Sequence, residues 1–176
     1  MNVDYYKKIA NSSAHRKSRD ENKDFIFEHP EYLSDLVEIA FDTNDKNHHK
    51  ACWILELICE EQMNLFKPFI VDYCNSLKKF KSESAIRSIS KIGMFIVNDK
   101  SIELDNEQEE QIIETFLDWL IQTDKAANAA YSMRALYQLG KKHSWVNEEL
   151  KTLLQRDCSD QTPGYKFAVK DILKRL

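Results

Sequence analysis

One pattern returns along this chain and limits what it can fold into. Ala51, Leu55, Ile58 and Cys59 stand in the stretch ACWILELICE; the same spacing recurs at Ala85, Ile89, Ile92 and Gly93, and again at Ser132, Leu136, Leu139 and Gly140. A shorter echo, Ala168 and Ile172, completes the series. A small residue followed by Leu or Ile one and two turns later sets three side chains on one face of a helix. Recurrence at roughly 40 residues is the signature of stacked helix pairs, each covering an apolar face that its neighbour cannot bury alone. The pattern predicts a repeat protein.

Composition agrees. Three glycines and three prolines in 176 residues, with Glu, Lys, Leu and Ile plentiful, favour helix over strand or disorder, and the fold class is read as all-α. The length suits a single domain able to bury roughly two-thirds of the surface its unfolded chain exposes. A net charge of −4 aids solubility but gives no overall attraction to nucleic acid or anionic lipid. Cys52, Cys59, Cys74 and Cys158 form no CxxC pair, and three of them fall within apolar helical patterns, so reduced thiols in a cytoplasm are expected. The N-terminus has no apolar run of signal-peptide length, and nothing approaches the 18 or so residues needed to span a bilayer, so no membrane partner is expected.

Residues 1–29 are read as one or two capping helices made basic by Lys7, Lys8, Arg16, Lys17 and Arg19, with a basic arm that orders on a partner as the alternative. Residues 30–176 hold the repeats. The first pair opens at Pro30, with Leu33, Leu36, Val37 and Ala40 on its first helix and DTND at Asp42–Asp45 as turn and N-cap before its second. The next first helix carries Phe66, Phe69, Ile70, Tyr73 and Leu77, and its second begins near Ser82. Asn106 with Glu109 is read as a capping box for the third, whose face is Ile112, Ile113, Phe116, Leu117, Leu120 and Ile121. Glu103, Asp105, Glu107, Glu109, Glu110, Glu114 and Asp118 are read as its solvated outer face, with an acidic docking site as the alternative. Gly140 is read as a helix C-cap, and Thr162-Pro163 as the start of the last helix. Trp119 and Trp145 are placed in the core.

These positions resemble the HEAT and armadillo superfamily, over about residues 30–176. The resemblance implies an α-α superhelix of about four helix pairs behind an N-terminal capping helix, with the second helices lining a concave face. HPE at His29, DTNDK at Asp42 and the run from Lys50 to Glu56 are also similar to small bacterial helical-repeat proteins, some labelled adenylosuccinate lyase. Lyases of that superfamily carry a loop G-S-S-x-M-P-x-K-x-N, whereas the one Ser-Ser here, Ser12-Ser13, lacks the preceding glycine and following Met-Pro. The lyase reading therefore stands on the label alone.

Chemistry is sparse. His48, His49 and Cys52 are the nearest approach to a metal site, but zinc needs three or four converging ligands and no second cluster accompanies them. No P-loop, GxGxxG, HExxH or GxSxG is present, and no catalytic residue, metal or cofactor is assigned. Two residues along a helix is about 200° of rotation, so the residue two beyond each small core position should point outward. Those residues are Trp53, Arg87, Arg134 and Lys170, with Glu56, Ser90 and Tyr137 one turn further on. Trp53, Arg87, Arg134, Tyr137 and Lys170 thus form a candidate binding stripe of cations and aromatics. The expected function is a non-catalytic scaffold for a protein segment or acidic peptide. The alternative is a HEAT-like DNA glycosylase of the alkylation-repair kind, which the overall negative charge disfavours.

Overall fold

The structure, a computed structural model, describes residues 1–122, 126–156 and 159–176, and every regular element among them is helical. The chain gathers into two compact units, Met1–Ile89 and Ser90–Leu176. Their division falls inside one helix.

The first unit holds α1 (Val3–Ala10), α2 (Arg16–Glu28), α3 (Leu33–Phe41), α4 (His48–Glu61), α5 (Met63–Phe66), α6 (Ile70–Ser76) and the beginning of α7 (Glu83–Asn98). Pro30 opens one short 3-10 turn and Pro68 is the second residue of another, Lys67–Phe69, positions where a missing N–H leaves no helical bond unmade. Asn2 caps α1 by accepting from Asp4 N at 2.9 Å and Tyr5 N at 3.1 Å. Both terminal helices pack on α4, with Ile9 and Ile26 fully buried. Much of their positive charge is met locally, Lys7 by Asp4, Arg16 by Asp20 and Lys23 by Glu61. The basic segment is therefore held to α4 by apolar burial and by the Lys23–Glu61 pair.

The DTND turn differs in detail from its reading. Asp42 and Asp45 accept from Asn44 N (3.1 Å) and Asn47 N (2.6 Å), making side-chain turns. Asn47 occupies the N-cap of α4 without capping it, because its amide donates to the Tyr6 hydroxyl, which itself donates to Asp45. The turn is thus tied to α1. Ala51, Leu55 and Ile58 of α4 have no exposed surface, as the recurrent pattern requires.

The second unit holds the rest of α7, then α8 (Asn106–Gln122), α9 (Ala126–Leu139), α10 (Ser144–Leu154) and α11 (Pro163–Leu173). Helix α9 is its centre, packed on α8, α10 and α11, with Ser132 and Leu136 fully buried. The capping box sits one residue earlier than expected: Gln108 N donates to Asp105 Oδ1 (2.8 Å), and Asp105 N to Gln108 Oε1 (3.1 Å). That shift releases Glu109 for another role. Thr162 caps α11 through Tyr165 N, as its sequence predicts.

Gly140 follows α9 without a left-handed backbone. Its small size answers to crowding, since an added Cβ would fall 1.9 Å from Asn147 Oδ1. Trp119 is buried and stacks on Phe116, but Trp145 and Ile121 are more than half exposed. Trp145 precedes Val146 by one residue and is rotated about 100° from the Val146, Leu150, Leu153 face. Ile121 lies beyond Leu120, the last buried residue of α8. Cys158 falls outside the described residues.

Candidate binding faces

In the first unit, Trp53 and Arg87 stand half-buried on α4 and α7. The Arg87 guanidinium donates to Glu56 Oε2 at 2.7 Å, and Ser88 Oγ donates to the same oxygen at 2.6 Å. Glu56 is only 2% exposed. The outward direction read for Glu56, and likewise for Ser90, which is fully buried, is thus corrected. A residue five beyond the small core position lies about 60° round the helix from one two beyond it, and at Glu56 that side is covered by α7. Trp53 donates from Nε1 to Ser84 Oγ at 2.8 Å and meets the His49 ring edge-on at 5.0 Å. Arg87 and Trp53 therefore join α4 to α7 as well as edging the surface.

The histidine and cysteine positions nearby are occupied separately. His48 stacks on Phe80, His49 meets Trp53, and Cys52 Sγ donates to Ala40 O at 3.4 Å. Burial, and then the neighbouring His49, hold His48 below its ordinary pKa, while burial pushes the Cys52 and Cys59 thiols up. Among the described residues no three potential ligands gather round one point.

The second unit has a different surface. Arg134, Tyr137 and Lys141 follow one another at turn spacing along and just beyond α9. Arg134 is half-buried and makes no ion pair among the described residues. Lys141 Nζ lies over the Tyr137 ring, 5.0 Å from its centre, and donates to Gln138. Helices α9 and α11 begin side by side, since a Cβ on Gly164 would lie 3.5 Å from that of Ala126. On α11 Lys170 is exposed, and Phe167 keeps 70% of its surface in solvent. Sequence reading missed Phe167. Its signal was an aromatic one residue before the small core position Ala168, off the apolar face.

Glu109 departs from the solvated acidic face assigned to it. It is 7% exposed and accepts from His143 Nε2 (2.7 Å) and Lys142 Nζ (2.8 Å), beside a cavity of about 300 Å³ lined by Ile96, Leu104 and Leu139. Burial raises its pKa, but the hydrogen bonds and charges of Lys142 and His143 together outweigh that and hold it below the ordinary value. The other acids of the group stay exposed.

A further recess was not foreseen. Between α3 and α6 in the first unit, Val37, Phe41 and Phe69 floor a groove of about 470 Å³ rimmed by Glu38, Asp42 and Asp72. Val37 belonged to the predicted core and Phe69 to a predicted apolar face, and nothing in their spacing distinguishes a groove floor from a core.

Helix pairs built on a recurrent small-residue face, without a described strand, define an all-α helical-repeat protein. The sequence matches the HEAT repeat domain over residues 7–176, and the chain belongs to that family. The match begins within α1, so it takes in the end of that helix and all of α2. No curated protein and no solved structure matches the chain significantly. Among the described residues no helix is long and apolar enough to cross a membrane.

Proposed function

We propose that this protein is a non-catalytic scaffold that binds a partner's acidic segment on the α9 and α11 face. The observation that carries this reading is the pair Arg134 and Lys170, cations without ion-pair partners among the described residues, on adjacent helices, with Tyr137 one turn from Arg134. Arginine and tyrosine are the side chains that most often supply binding energy at protein interfaces. Cations on a half-exposed face select a carboxylate-rich segment and speed its encounter. Trp53 and Arg87 are given a smaller share, because Arg87 already answers Glu56. That neutralised arginine also weighs against the glycosylase alternative, which needs cations for phosphates.

The test is a nuclease-treated pull-down from a native extract, comparing wild type with an Arg134→Glu, Lys170→Glu variant. The bound region of each recovered protein is then mapped on a peptide array. A partner lost from the variant and held through an acidic segment is the expected result. Equal recovery by both proteins, or recovery only when nucleic acid is left in place, would overturn the reading.

A further inference from the structure

The groove between α3 and α6 belongs to neither the stripe nor the helix-pair core. Its floor is rigidly seated: Phe41 meets Phe66, Tyr73 and Phe80 with ring centres 6.3–6.4 Å apart, and Phe69 meets Phe66 at 6.2 Å. Ser76 adds a buried hydroxyl that donates to Tyr73 O, leaving no polar demand on an occupant there. The rim has the opposite character. Glu38, Asp42 and Asp72 are exposed, and none makes an ion pair among the described residues. Lys79 is the one cation among the lining residues. Val71, next to Asp72 in sequence, leaves 56% of its surface in water.

We infer that this groove receives a basic amphipathic helix from a partner protein. A floor of two half-exposed aromatics and a valine between two helices suits the apolar side of a helix, read as residues at i, i+3 and i+4. The volume of about 470 Å³ lies within the range of sites that take up a few apolar side chains. Three carboxylates against one cation favour lysine or arginine flanking those anchors and disfavour glutamate. The site is independent of the proposed face on α9 and α11. It would take the opposite charge.

The probe is a fluorescein-labelled amphipathic peptide of about 14 residues, leucine on one face and lysine on the other. A twin with glutamate replacing lysine is the control, and binding is read by fluorescence anisotropy. Saturable binding of the lysine peptide is expected, with the glutamate peptide at least about tenfold weaker and affinity falling as salt rises from about 0.05 to 0.5 M. Glu38→Lys with Asp72→Lys should weaken the lysine peptide at least about tenfold. Both side chains are exposed, and circular dichroism checks that the variant keeps its helices. Arg134→Glu with Lys170→Glu should leave that peptide's affinity unchanged, so failure here and failure of the proposed function are read separately. Absence of saturable binding, equal affinity for both peptides, or indifference to the Glu38 and Asp72 reversals would each overturn the inference. So would a sedimentation shift of the wild type alone that the same reversals abolish, since it would assign the groove to a second copy.

Discussion

Arg87 and Arg134 hold the same place in their repeats, two residues past Ala85 and Ser132, yet the two units use them differently. Arg87 closes on Glu56, a carboxylate 2% exposed, whereas Arg134 meets no acid among the described residues. The cause is the residue presented by the preceding second helix. Arg87 pairs with the residue five beyond Ala51, which is Glu56; the residue five beyond Ala85 is Ser90, and a serine in that place cannot neutralise an arginine. A shared repeat position therefore fixes where a side chain points, and its neighbour fixes whether it serves the fold or remains for a partner.

The largest effect expected from this difference comes from removing the acid. Glu56→Ala leaves Arg87 and Ser88 without their shared acceptor and should cost about 2–4 kcal/mol in urea unfolding, less than a fully buried pair because Arg87 is a third exposed. Exposed acids of α8 such as Glu110, changed to alanine, should move stability by no more than about 0.5 kcal/mol. In the second unit, Gly140→Ala should cost no more than about 1–2 kcal/mol, because the contact is with the end of the Asn147 side chain, which can turn aside. Adding Asn147→Ala should restore part of that loss; a double variant no better than the single one would refute the crowding account.

A smaller loss belongs to the cap. Thr162→Ala should lower stability by about 1 kcal/mol and increase hydrogen exchange in the first turn of α11 while α4 keeps its protection.

Acid should separate the units, with the smallest effects of the series. His48 in the first unit has a pKa lowered from 6.5, so folding favours its neutral ring. The stability this gives is present above about 6.5 and is lost as pH falls through the lowered folded value. Glu109 in the second unit has a pKa lowered from 4.5, so its contribution is complete above that value and lost only as pH falls through its own lowered folded value. Hydrogen exchange should therefore show α4 losing protection at a higher pH than the α8 amides around Glu109. His48→Leu should remove the earlier loss.

Much of the fold was legible because small-x-x-x-Leu packing repeats in register, and Ala51, Ala85, Ser132 and Ala168 are all buried as that pattern requires. The helix bounds followed from Pro30, Thr162 and the polar connections. Single-residue offsets were harder to read. Asp105 rather than Asn106 forms the capping box, and Trp145 falls off its helix face, because each depends on a rotation of about 100° that neighbouring hydrophobic residues do not reveal. Charges were the least legible. Glu56 and Glu109 lie among exposed-looking neighbours in sequence, and their burial is set by Arg87, Ser88, Lys142 and His143, which come from other helices and turns. The groove floored by Phe41 and Phe69 was hidden for the same reason, since its rim joins α3 to α6.

The measurement that bears most directly on this contrast is equilibrium urea unfolding of Arg87→Ala and Arg134→Ala, side by side with wild type. Arg87→Ala should unfold at clearly lower urea, by about 2–4 kcal/mol for a buried Glu56 that loses its counter-charge and keeps the Ser88 bond, while Arg134→Ala stays within about 0.5 kcal/mol of wild type. Equal losses in the two variants would contradict the division between a structural arginine and an available one. So would a larger loss at Arg134.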